Sequence, residues 1–139
     1  MRFLLDTCIL IFSISDQLDR QDKKMIFSYE HQLYTSSVAV MELIHLLQFG
    51  RITLSKKEHF DALNVFDFVE NTLGIGIKYI DKGHLRMLAQ LPTFSTHKDP
   101  NDRLMIAQAI AENLTLLSSD TQFDRYVAFG LDFIKAKHS

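Results

Sequence analysis

The sequence predicts an α/β fold in three layers, with helices on both faces of a central, mostly parallel sheet. Three observations lead there. Short apolar runs, Phe3-Leu4-Leu5 and Leu114 to Leu117, lack polar alternation and read as strands buried on both faces. Segments of helical character separate the strands, which is the order of elements in a parallel sheet with crossover helices. Two of the strands end close to an acid, Asp6 and Asp120, and such sheets carry their sites outside the carboxyl ends of the strands.

Each element has its own signal. Arg2 to Asp6 forms the opening strand; Asp6 interrupts what would otherwise resemble a signal peptide, so a buried strand is expected there. A helix is expected over Ile9 to Ser15, a second of mixed polarity over Leu18 to Tyr29, and a short strand over Gln32 to Thr35. Ser36 and Ser37 form an N-cap ahead of the apolar helix Val38 to Phe49, which Gly50 stops. Ser55 caps a further helix to about Glu70, and Gly74-Ile75-Gly76 precedes a strand over Ile77 to Ile80. Asp81 opens a helix that ends before Pro92. Asp99-Pro100-Asn101-Asp102 has the form of a helix start, with Asp as cap and Pro at the first helical position, and that helix runs to about Asn113. After the leucine-rich strand, a short helix and a last strand near Leu131 to Ile134 close the chain.

The 139 residues fit one domain, 1–139, and 47% hydrophobic against 23% charged residues is an ordinary globular composition. Cys8 is the only cysteine, so no intrachain disulfide can form and a reducing, cytoplasmic compartment is expected. No apolar run reaches the roughly 18 residues that a membrane span requires. The formal charge of −2 argues against a protein that grips nucleic acid by bulk positive charge. An acidic site can still meet phosphate through divalent cations.

Glu42 most needs an explanation. It lies in VAVMELIHLL, and its neighbours four residues away, Val38 and Leu46, offer no cation. A solvated stripe, a pairing with a distant Lys or Arg, the nearby His45, or a divalent metal would each account for it. Asp6 and Asp120 have ordinary roles as helix caps, Asp99 is explained as one, and Asp102 suits the positive end of a helix dipole. Together they suggest more, because hard cations such as Mg²⁺ need only a few convergent carboxylates. His97 could contact phosphate but reads first as a solvated or backbone-bonded loop residue. Arg103 could neutralise an acid or touch RNA phosphate but reads first as one member of a surface or interhelical pair; Cys8 reads as a small buried hydrophobe.

Three stretches resemble the PIN-domain ribonucleases, specifically the VapC-type toxins of bacterial toxin–antitoxin pairs. FLLDTCILI is similar to the family's first strand ending in Asp-Thr, SSVAVMELI to its Glu-bearing helix, and HKDPNDRLMIAQAIAENLTLLSSDTQF to its His-x-Asp-Pro-x-Asp-Arg helix with the following strand and acid. The order and spacing fit nearly the whole chain. The chain departs from the pattern at Cys8, where Asn is common, and at Asn101, where an aromatic is common.

The resemblance implies a PIN-like sandwich and a Mg²⁺- or Mn²⁺-dependent endoribonuclease with Asp6, Glu42, Asp102 and Asp120 as catalytic and metal-binding acids. Thr7 and Ser119 would orient them through their hydroxyls. It also implies an RNA substrate, a small cognate antitoxin protein, a homodimer and no membrane association. Two other classes share the length and the acids: a receiver-like signalling module, and a PIN-like interaction domain without activity. The receiver needs an acidic pair and a late strand-end Lys, neither of which is evident.

Overall fold

The structure, a computed structural model, describes residues 1–52 and 61–137. Its sheet has five strands, β1 (Arg2–Leu5), β2 (Gln32–Ser36), β3 (Gly76–Lys78), β4 (Thr115–Ser118) and β5 (Asp132–Lys135), in the order β3-β2-β1-β4-β5. All neighbouring pairs are parallel, with Leu5 opposite Thr35 on one side and Leu117 on the other. The α/β sandwich expected from the sequence is therefore what forms. The strand order reverses between β1 and β4, which makes their carboxyl ends the topological switch point of the sheet.

The apolar runs explain the layers. Phe3, Leu5 and Leu117 face a core completed by helices α1 (Thr7–Ser15), α2 (Arg20–Ile26) and α3 (Ser37–Gln48). Leu4 and Leu116 point the other way, towards α5 (Lys82–Gln90), α6 (Pro100–Glu112) and a 3₁₀ segment (Thr121–Phe129). Phe3, Leu4, Leu5, Leu116 and Leu117 are all fully buried, as central strands between two helical layers require.

Helix boundaries follow from caps. Asp6 starts α1 two residues earlier than the apolar pattern suggests, accepting the Ile9 N–H at 3.0 Å. Ser36 caps α3 through the Val38 N–H, and Asp99 caps α6 through the N–H groups of Asn101 and Asp102, with Pro100 in the first turn. Asp81 and His84 form a reciprocal capping box on α5. Asn113 ends α6 in the left-handed region at φ 55°, which Asn tolerates better than most residues.

Some expectations are corrected. The second helix spans only Arg20–Ile26, because Asp19 caps it late and Phe27 closes it. Of the helix expected from Ser55 to Glu70, the first part lies outside the described residues. The rest is a turn at Asp61, a three-residue helix α4 (Val65–Asp67) and a π-type turn, Phe68–Thr72. The third strand starts at Gly76 and ends at Lys78, two residues short of the expected Ile80. There Ile80 instead donates its N–H to the Ser37 hydroxyl.

Leu4→Ala removes a fully buried side chain from the centre of the sheet. It is expected to cost about 2–5 kcal/mol in chemical denaturation with the fold retained. A cost near zero would contradict the packing described.

Candidate metal centre

The sheet delivers two acids to one place. Asp6 follows β1, and its N–H continues the ladder to the Leu117 carbonyl at 3.2 Å. Asp120 lies two residues beyond β4 and caps the 3₁₀ segment through the Gln122 N–H at 2.9 Å. Ser118 joins them: its buried hydroxyl bonds the Asp6 side chain and accepts the Asp120 N–H at 3.0 Å. The hydroxyl fixing these acids is thus that of Ser118, while Ser119 is half-buried next to it.

The other two acids come from helices. Asp102 stands in the first turn of α6, where the Asp99 cap fixes the backbone. Glu42 projects from α3, and its partner is the Thr7 hydroxyl rather than His45, whose ring instead lies 4.6 Å from that of Phe49. Asp6 feels the charges of Asp102 and Asp120, and Asp102 that of Glu42. Cys8 feels all four. The structure therefore brings Asp6, Glu42, Asp102 and Asp120 into one electrostatic neighbourhood, with Thr7 on its edge.

Burial dominates the electrostatics. It pushes the Asp6 carboxyl up to about 7, against the Ser118 and Ile9 hydrogen bonds, and Asp102 and Asp120 push the same way. Asp102 rises to about 6, through burial first and then the charge of Asp99, while His97 opposes the shift. Cys8, in the first turn of α1, is exposed, not buried as expected. Partial desolvation and the surrounding acids drive its thiol to about 11, so it is a poor nucleophile near neutral pH.

His97 is the residue that sequence reasoning missed. It is buried, packed against the rings of Phe123 and Tyr126 at 5.7 and 5.4 Å, not a solvated loop side chain. Nδ1 lies 2.7 Å from the Tyr126 hydroxyl and Nε2 lies 3.4 Å from Asp102 Oδ2. Ligand atoms of His97, Asp102 and Asp120 lie within 4.8 Å of one another, a spacing that one cation can bridge. The signal for this role was the spacing His-x₄-Asp, which places His97 just ahead of the helix that carries Asp102. Among the described residues Arg103 makes no acid pair; its Nη2 donates to the Pro92 carbonyl at 3.0 Å.

Burial first, and neighbouring charge second, raises Asp6 and Asp102. The half-buried Asp102 and exposed Asp120 present ligand atoms within 4.8 Å of a His97 nitrogen, a donor set suited to a divalent cation. The fold and this site together define an α/β domain with an acidic centre at the switch point of its sheet. The chain belongs to the PIN domain family, whose sequence model matches residues 3–128. That assignment sets aside the receiver-like alternative. No curated protein sequence matches the chain.

Among solved structures, VapBC2 from Rickettsia felis bound to a DNA fragment from their promoter is similar with a TM-score of 0.75 and 21% identity, covering 99% of this chain and 100% of that one. The DNA-bound VapBC of Salmonella typhimurium gives 0.67 and 18%, with 97% and 98% coverage. VapBC-5 from Mycobacterium tuberculosis, a member of the VapBC family of toxin–antitoxin systems, gives 0.63 and 19%, with 96% and 98%.

The raised carboxyls set a pH dependence. The folded protein holds the Asp6 proton up to about pH 7, whereas the ordinary value is 3.8, so between these limits the folded state binds the extra proton. Stability of the metal-free protein is then full below the lower value and lost as pH rises to the upper one. Melting temperature in chelator is expected to fall across that window, with Asp6→Asn flattening the curve. A wild-type profile already flat across the window would contradict the assigned burial. Added Mn²⁺ should raise the melting temperature more at the alkaline end, because ligands must be deprotonated to bind.

Proposed function

We propose that this chain is a Mg²⁺- or Mn²⁺-dependent endoribonuclease that hydrolyses RNA phosphodiester bonds, and is the toxin of a type II toxin–antitoxin system. The observation that carries the reading is the approach of ligand atoms of His97, Asp102 and Asp120 to within 4.8 Å of one another in a PIN domain, and the proposal assigns Asp6 and Glu42 to the same centre. The VapBC complexes among its structural relatives support the toxin role and a small antitoxin protein as partner. A homodimer and a cytoplasmic location complete the proposal. Among the described residues, no helix is long and apolar enough to cross a membrane.

In this reading Asp6, Asp102, Asp120 and Glu42, together with His97, would hold the ion. Such an ion would supply an activated water and polarisation of the phosphoryl oxygens. The chain's own groups keep the acids in register. Ser118 and the Ile9 N–H fix Asp6, and Thr7 fixes Glu42. The His97 ring is held between two partners, with Nδ1 2.7 Å from the Tyr126 hydroxyl and Nε2 3.4 Å from Asp102 Oδ2. Ser119, beside Asp120, is a further hydroxyl within the same loop. Such supporting contacts fix ligand geometry and basicity.

The test is RNA cleavage by the purified chain, freed of any antitoxin, in Mg²⁺ or Mn²⁺ and in chelator. Cleavage should require metal, and Asp6→Asn and Asp102→Asn should each lower kcat by about 100-fold or more while circular dichroism shows an intact fold. Folded variants with wild-type rates would remove the carboxylates from the chemistry. A metal-loaded wild type that cuts no RNA would favour the inactive interaction domain.

A further inference from the structure

Beside the acids lies a second feature of opposite charge. A cleft of about 650 Å³ is lined by Thr93, Phe94, Ser95, His97, Lys98 and Arg103. It abuts the metal centre through His97, whose Nε2 is 3.4 Å from Asp102. Lys98 follows His97 in the chain and Arg103 follows Asp102, so each cation is one residue from a group at the centre.

The cleft is built on a fixed loop. Phe94 and His97 form an antiparallel bridge, and the His97 N–H reaches the Phe94 carbonyl at 3.2 Å. Arg103 ties the start of the loop through the Pro92 carbonyl at 3.0 Å. Arg125 ties the other side through the Thr96 hydroxyl, with its guanidinium 5.4 Å from the centre of the Phe94 ring. Three cations therefore surround one short loop of a chain whose net charge is −2. Arg103 Nε is buried without a hydrogen-bond partner among the described residues. A guanidinium held at one end, with an unpaired donor, is a group that an oxyanion or an ordered water satisfies.

The chemistry of this surface is cationic and hydroxyl-bearing, which suits phosphate oxygens. A strand presented to four carboxylates needs such a surface. An ion at the centre offsets the charge around the scissile phosphate, but the phosphates flanking it still face an acidic neighbourhood. Local cations supply what the overall charge does not.

We propose that this cleft binds the backbone phosphates of the RNA strand beside the scissile bond, with Lys98 and Arg103 as its cations. The proposal rests on the ribonuclease reading for its substrate but acts on binding rather than on the reaction. Lys98 is exposed, so Lys98→Ala leaves the fold intact, and Arg103→Gln serves as the second variant with its melting temperature checked. Arg2, at the opposite end of the sheet, is the control as Arg2→Ala.

The experiment measures anisotropy of a fluorescein-labelled single-stranded RNA with the full chain in Ca²⁺, over a series of salt concentrations. Lys98→Ala should weaken binding by about 3- to 10-fold and make the log–log salt slope shallower by about 0.7, with Mn²⁺ affinity unchanged. Arg103→Gln should do the same and Arg2→Ala should do neither. Wild-type affinity and slope in both cleft variants would overturn the proposal, as would a wild type that binds no RNA at low salt. A wild type that binds through these cations yet never cuts in Mn²⁺ would keep the cleft and remove the ribonuclease reading. A wild type that cuts while both variants bind normally would do the reverse.

Discussion

Like charges crowded at one end of a parallel sheet are the constraint on which the rest of this molecule depends. The register of β1 and β4 brings Asp6 beside Ser118, two residues before Asp120, and the Ser118 hydroxyl bonds to both acids. Glu42 and Asp102 are brought in by α3 and α6 from the two faces. Burial and mutual repulsion then work against ionisation, which is why Asp6 rises to about 7 and Asp102 to about 6. A cation at that point would resolve the conflict, in competition with protons for the same oxygens.

The scaffold reduces the conflict in a second way. Asp6, Asp99 and Asp120 all act as caps, so α1, α6 and the 3₁₀ segment begin at the acidic centre. Helix starts carry partial positive charge, and N–H groups of the first turn donate to a carboxylate. Capping and metal binding are therefore compatible uses of one carboxylate. The Ile9 N–H bonds Asp6 Oδ1 and the Gln122 N–H bonds Asp120 Oδ1, which orients each group before any ion arrives. The fully buried leucines of β1 and β4 keep these two strand ends from moving apart.

Much of this was legible in the sequence, for local reasons. Unbroken apolar runs gave β1 and β4, and the Asp-Pro start gave α6, because strand burial and capping depend on neighbouring residues. Glu42 stood out by contrast with its apolar helix. What was not legible depends on contacts far apart in the chain. His97 is buried because Tyr126 and Phe123 close over it, and neither could be placed beside it from sequence spacing. Glu42 pairs with Thr7 across 35 residues rather than with His45 on its own helix. Ser118, rather than Ser119, bonds Asp6, since strand alternation turns its side chain towards the centre. The apolar neighbours of Cys8 suggest burial, but on α1 it is exposed. The helix expected across Ser55 to Glu70 ends in a short turn and a π-type segment, a break that apolar period does not encode.

The central claim is that these four acids share a divalent cation. An anomalous difference map from crystals grown in Mn²⁺, on the alkaline side of the Asp6 transition, tests it most directly. The account predicts a peak coordinated by Asp6, Asp102 and Asp120, with Glu42 facing it directly or through water. Ordered side chains with no anomalous density between them at saturating Mn²⁺ would contradict it.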